Sequence, residues 1–203
     1  MEFTTKTVRL ADGRTLVVRR PETETDLDNL VAFFAKLPPQ VKNYLRYNVD
    51  NKDFFRHRLD SVDGRDHWRL VAELDGEIVG DATMDREPFG WTRHMAELRA
   101  VVDPQSENLG VESVLFNQLA HLGSASKVER LFVEVLEDHR GLVKILEKEG
   151  FVKEGILKDR AKDQRGKLHD VVILSNDLET VWKSLEERLS DLDLKLHNAY
   201  RMV

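Results

Sequence analysis

The stretch AELRAVVDPQSENLG, residues 96–110, decides how the rest of the chain is read. Leu98, Ala100 and Val102 alternate with Glu97, Arg99 and Val101, the two-residue period of a strand with one apolar face. Asp103-Pro104 stops that strand, and a short polar loop leads to Gly110. Val111, Val114, Leu115, Leu119 and Leu122 then recur at helical spacing, with Gly123 as the expected stop. The first N–H groups of a helix lack intrahelical partners, so this strand, loop and helix form a place where an anion is stabilised. Glu97 stands upstream on the strand, a carboxylate able to accept a proton.

Outward from this unit, strands and helices alternate. Val8–Leu10 and Thr15–Arg19 flank Asp12-Gly13 as a hairpin, and Pro21 ends its second strand. Leu27, Leu30, Val31 and Phe34 have helical spacing after candidate caps Thr23 and Thr25, and Pro38-Pro39 stops that helix. Short helices are expected at 41–46 and 52–59. Trp68–Leu74 and Glu77–Met84 flank Asp75-Gly76 as a second hairpin, followed by a loop from Asp85 to Trp91. Arg130–Leu136 reads as a strand, Leu142, Ile145 and Leu146 as a helix closed by Gly150. Phe151–Leu157 and Asp170–Leu174 read as strands joined by the polar segment Lys158–His169. This order predicts an α/β (α+β) domain around one mixed sheet.

Composition narrows the chemistry. The 203 residues suit one domain with an appendage, and 37 acidic against 31 basic residues give a net charge of −6. That balance argues against a general nucleic-acid or anionic-membrane surface. With no cysteine there is no disulfide, thiolate metal site or cysteine nucleophile. Residues 1–14 hold no long apolar run, so a soluble, cytoplasmic protein is expected. The seven histidines show no His-x-x-x-His or Glu-x-x-His spacing, which predicts no metal.

The segments LADGRTLVVRRP (10–21), REPFGWTRHMAELRAVVDP (86–104) and LVKILEKEGFVKEGILKDRAKDQRGKLHDVVIL (142–174) together resemble the GNAT superfamily of acyl-CoA N-acyltransferases. The likeness is to a bacterial subgroup similar to protein-lysine acetyltransferase domains. It implies the GNAT fold over residues 1–178, a central mixed, mostly antiparallel sheet flanked by helices, and acetyl transfer from acetyl-CoA to an amine, on a small molecule or a protein lysine. It implies Glu97 as general base, thirteen residues before Gly110, and oxyanion stabilisation by a backbone N–H near Val102. Cofactor contacts fall to Val101, Val102, Asn108, Leu109, Gly110, Val111, Glu112, Ser113 and His139, with His139 also a candidate acid.

The chain departs from that family's pattern in two places. The family's pyrophosphate loop reads Gln/Arg-x-x-Gly-x-Gly/Ala, whereas an ungapped alignment here puts Glu107 first, Gly110 at the first glycine and Glu112 at the second. Two unit charges about 4 Å apart interact by roughly 4 kcal/mol at an effective dielectric near 20, so carboxylates there oppose a phosphate. The same residues also suit a helix start, where acidic groups are favourable. The family's helical tyrosine, which protonates the leaving thiolate, falls on Leu146. These departures keep open a noncatalytic, GNAT-like binding or regulatory module.

Trp91, Arg93, His94 and His169 are candidate acceptor-binding residues, with core or rim packing of Trp91 as the alternative. In residues 179–203, Trp182, Leu189, Leu196 and Val203 repeat every seven positions, interleaved with Leu185, Leu192 and Ala199. An amphipathic helix with this seam packs on its own domain or pairs two chains as a homodimer.

Overall fold

The computed structural model describes residues 3–10, 12–43, 45, 49, 51–106, 109–163 and 165–179. Eight strands form one sheet in the order β1-β2-β3-β4-β5-β6-β8-β7. They are β1 (Lys6–Arg9), β2 (Thr15–Arg19), β3 (His67–Leu74), β4 (Glu77–Arg86), β5 (Met95–Val102), β6 (Arg130–Leu136), β7 (Val152–Lys162) and β8 (Leu168–Asp177). Every pairing is antiparallel except β5 with β6. The helices are α1 (Thr23–Lys36), α2 (Pro39–Lys42), α3 (Lys52–Asp60), α4 (Val111–Ala125) and α5 (Arg140–Lys148).

The sheet separates two apolar layers. On one face, Val111, Leu115, Phe116, Leu119 and Leu122 of α4 and Leu146 of α5 meet Leu70, Ala82, Met84, Ala96 and Leu98. On the other, Leu27, Leu30, Phe33 and Phe34 of α1 and Phe55 and Leu59 of α3 meet Val71 and Ile78. Strand alternation therefore sends Ala96, Leu98 and Val102 toward α4, and Glu97, Arg99 and Val101 toward the face covered by α1 and α3.

Several local expectations are corrected. Gly123 does not end α4, which runs on to Ala125. It is buried there because a Cβ would lie 3.1 Å from the sulfur of Met84, so its smallness serves helix-on-sheet packing. Asp85 and Arg86 extend β4 rather than starting a loop, since both keep partners on β5. The polar segment 158–169 is mostly strand. β7 and β8 extend through it to a turn in which Asp163 accepts N–H bonds from Arg165 and Lys167 at 2.9 Å each. Solvent on both sides of that hairpin arm removes the apolar alternation by which a strand is recognised. Glu22, not Thr23 or Thr25, precedes the first turn of α1, and its N–H bonds the carboxylate of Asp26 at 2.7 Å. Pro39 starts α2 at its first position, which tolerates a missing N–H, two residues before the expected start at Val41, and the helix ends at Lys42; Arg46, the expected end, lies outside the described residues. The proposed seam in 180–203 lies outside the described residues.

Candidate active site

The site is organised by the one parallel seam. β5 and β6 pair only at Met95 with Arg130, Ala96 with Leu131 and Glu97 with Phe132. Beyond Glu97, β5 stays with β4 as far as Val102, and β6 stays with β8 as far as Leu136. The N–H of Asp103 donates to Val79 O of β4 at 2.8 Å, and His94 O accepts from Arg130 N–H at 3.2 Å. Alternation along β5 therefore turns the N–H and C=O of Ala100 and Val102 to the β6 side, where they have no strand partner.

Two helix N-termini stand at the carboxyl ends of these strands, the end at which open α/β sheets bind ligands. Gly110 is the N-cap of α4, with φ 82° and ψ 17°. A Cβ there would meet nothing within 4 Å, so glycine is needed for its left-handed backbone and not for space. Gly110 has no side chain with which to cap α4, whose first N–H groups, those of Val111, Glu112 and Ser113, stand at the loop end of the helix. His139, half-buried, is the N-cap of α5, and its side chain makes no capping hydrogen bond. Leu109 donates its N–H to Ser106 O at 3.3 Å, and Ser106 is buried. Glu107 and Asn108 lie outside the described residues. Gly80, which the sequence reading missed, fixes how closely α4 approaches: a Cβ there would lie 3.0 Å from Leu115 Cδ1 and 3.2 Å from Val111 Cγ1.

Glu97, 14% exposed, occupies the last β5 position paired with β6 and lies on the face toward α1 and α3. Arg99 Nη2 donates to its carboxylate, and Arg99 Nη1 donates to Asp85 Oδ2 at 2.8 Å. Asp85 also accepts from Arg58 Nη2 of α3 at 2.8 Å and lies 3.0 Å from Nδ1 of His67. Burial pushes the Asp85 carboxyl up, but hydrogen bonding and charge from Arg58, with His67 and Arg99, outweigh it and hold the group below its ordinary range. His67, Asp85 and Glu97 thus form a cross-strand row. The odd-numbered alternation along β5 hinted at Glu97 and Arg99 sharing a face. No local pattern encodes the register that brings His67 and Asp85 beside them.

The other candidates sit elsewhere. Trp91, Arg93 and His94 line a cavity of about 790 Å³ at the amino end of β5, opposite to the end that carries Gly110. His169, whose side chain is 12% exposed, is held between Asp138 (Nδ1 to Oδ2, 3.2 Å) and Asp163 (Nε2 to Oδ2, 3.2 Å). Its ring ties the start of β8 to the loop before α5. Leu146 is fully buried in the core under α5. Among the described residues there is no group of three or more His, Asp or Glu arranged to hold a metal ion, and no helix long and apolar enough to cross a membrane.

Two helix N-termini whose N-cap residues make no side-chain capping bond, an open loop glycine and a strand edge with no strand partner fit an extended, phosphate-bearing molecule; the acidic Glu112 in the first turn of α4 opposes it. Comparison with known proteins points the same way. The family model for the acetyltransferase (GNAT) domain matches residues 20–172. The chain is 29% identical over 147 residues to L-amino acid N-acetyltransferase AaaT of Escherichia coli (strain K12), covering 72% of this chain and 88% of that relative. The fold is similar to the GNAT domain of S. lividans PAT, with TM-score 0.71, 24% identity, and 85% and 96% of the two chains covered. It is also similar to yncA, a putative acetyltransferase from Salmonella typhimurium with its cofactor acetyl-CoA, with TM-score 0.70, 14% identity, and 80% and 94% covered.

Proposed function

Because the chain belongs to the GNAT acetyltransferase family, we propose that it transfers the acetyl group of acetyl-CoA to an amine by direct attack, with Glu97 as general base. The observation that most supports this reading is the position of Glu97 at the point where β5 leaves β6, with unpaired main chain beyond it and two helix N-termini further on. The N–H groups of Gly110, Val111, Glu112 and Ser113 would hold the pyrophosphate, with His139 at the head of α5 beside it. The main chain of Val101 and Val102 would line the acyl-bearing arm, and a β5 N–H near Val102 would stabilise the carbonyl oxygen as it gains charge.

The chemistry then needs few groups. The amine nitrogen bonds to the thioester carbonyl carbon, its proton passes to the carboxylate of Glu97, and the carbon–sulfur bond breaks to release the CoA thiolate. A thiolate leaves without a strong acid, which agrees with Leu146 standing where the family has a tyrosine. The E. coli relative acts on L-amino acids, so a free α-amine is the first acceptor to try, with a protein lysine as the second.

A second reading is a noncatalytic module that binds acetyl-CoA weakly or not at all, and Glu112 in the first turn of α4 favours it. Calorimetric titration with acetyl-CoA, followed by thiol release over a panel of L-amino acids and a lysine peptide, decides between the two. Saturable binding with acceptor-dependent thiol release is expected. Binding without release, or no binding at all, supports the second reading and overturns the proposed function.

A further inference from the structure

The cavity at the amino end of β5 has a firmly tied wall. Arg86, the last residue of β4, donates from Nε to Asp66 at 2.9 Å, from Nη1 to Ser126 O at 2.9 Å and from Nη2 to Arg65 O at 2.7 Å. Its guanidinium carbon lies 5.6 Å from the centre of the Trp68 ring. Asp66 is buried and also accepts from Arg65 Nε at 3.1 Å, so one carboxylate serves two guanidinium groups. These bonds join β4, the loop before β3 and the end of α4. His94 O accepts the N–H of Glu129 at 2.9 Å, which fixes the β4–β5 hairpin to the loop after α4.

Around that wall the lining is aromatic and basic. Phe89 is 78% exposed and Trp91 91%, an apolar pair of the kind that marks a contact surface. Arg93 donates to the backbone oxygen of Gly90 at 3.1 Å, and Lys127 has no carboxylate partner among the described residues. Lys127 also holds a left-handed backbone, φ 62°, just past the end of α4, where glycine is the low-cost residue. Four cationic side chains line the cavity against two carboxylates, Asp66 and Glu129. With histidine counted as neutral, the formal surplus is two positive charges, on a chain whose net charge is −6. Its volume of about 790 Å³ falls within the range of small-molecule sites, about 300–1,000 Å³.

We propose that this cavity binds a nucleoside monophosphate. The base stacks on Trp91 and Phe89, and the phosphate pairs with Arg93 and Lys127. A phosphate monoester carries about 1.5–2 negative charges near neutral pH, which matches the surplus of two; a carboxylate offsets only one. Glu129 repels the phosphate and is left to accept from a ribose hydroxyl. A polynucleotide is disfavoured because its further phosphates run onto an acidic protein. The site is separate from the loop at Gly110 and does not rest on acetyl transfer. Met95 and Val102 mark the two ends of β5, roughly 23 Å apart at about 3.3 Å per residue.

Stacking tolerates any base, so AMP serves as the probe in a calorimetric titration of the full chain, with adenosine, inorganic phosphate and a short single-stranded RNA as comparisons. Saturable AMP binding is expected, with adenosine and phosphate each at least about tenfold weaker. Trp91→Ala and Lys127→Glu should each weaken AMP about tenfold. Both residues are exposed, and melting curves confirm that the variants fold. AMP is also a fragment of CoA, so the titration is repeated with saturating acetyl-CoA, which should leave AMP affinity unchanged. AMP binding that acetyl-CoA displaces and Trp91→Ala leaves intact belongs to the cofactor loop and overturns the proposal. Tighter binding of the RNA than of AMP overturns it in favour of a polynucleotide, and no AMP binding overturns it outright. An undiminished affinity in Lys127→Glu overturns the phosphate assignment.

Discussion

Asp85 and Glu97 face each other directly across β4 and β5, and the guanidinium of Arg99 bridges the two carboxylates. Like charges directly opposite on one face of a sheet repel. Arg99, two positions along from Glu97, converts that repulsion into two charge-assisted hydrogen bonds, with Arg58 and His67 completing the shell around Asp85. Arg99→Ala should therefore cost about 1–3 kcal/mol of stability, since it leaves two half-buried carboxylates in opposition. Urea unfolding of the variant, repeated with Asp85→Asn added, checks the cause. The second substitution should recover part of the loss, and no recovery would show that lost packing, not repulsion, is responsible.

Glu97→Gln tests the chemistry. Loss of a general base lowers turnover by about two to four orders of magnitude. Affinity for acetyl-CoA should change little, because Glu97 points to the face covered by α1 and α3, away from the α4 layer. Steady-state thiol release across pH, with calorimetry for binding, makes the measurement. A full rate at every pH removes Glu97 from the mechanism.

The cofactor loop gives an electrostatic test. Replacing Glu107→Arg together with Glu112→Gly removes two carboxylates from the approach to α4 and should tighten acetyl-CoA binding at least about tenfold, near 1.4 kcal/mol. Unchanged or weaker binding by the folded double variant would mean that the family's loop alignment does not apply here.

Two glycines near the head of α4 should fail differently. Gly80→Val drives side-chain atoms into Leu115 and Val111 and should cost about 1–3 kcal/mol through overpacking, with weakened acetyl-CoA binding as α4 is displaced. Gly110→Ala meets open space, and its cost, about 1–2 kcal/mol, comes from the left-handed backbone alone. Chemical unfolding and calorimetry of both variants separate crowding from backbone strain.

Asp63 supplies a pH test away from the site. Burial raises its pKa, but its carboxylate accepts N–H bonds from Asp66, His67 and Arg65, which outweigh burial and bring the group to about 2. With the folded value below the unfolded one, near 3.9, its contribution is fully present above about pH 4 and is lost as pH falls toward 2. Asp63→Asn should thus lower the melting temperature at neutral pH and flatten the decline between about pH 4 and 2. A parallel decline in both proteins would contradict the assignment.

By itself the sequence determined the element order, the α/β class and the strand–loop–helix unit around Gly110, because these rest on short-range periodicity and turn chemistry. It also marked Glu97 and Arg99 as neighbours on one strand face, since alternation needs only adjacent residues. It misjudged the arm at 158–169, where solvent on both sides erases the alternation that signals a strand. Gly123 read as a stop because a glycine's sequence position does not say whether its missing side chain serves a turn or a close contact. Only the tertiary structure decided that β5 parts from β6 after Glu97, that Gly80 sets the seat of α4, and that His67, Asp85 and Glu97 fall in one row. It also placed Trp91, Arg93 and His94 at one end of β5 and Gly110 beyond the other. Strand register and helix-to-sheet distance come from contacts between residues far apart in the chain, and no local pattern encodes them.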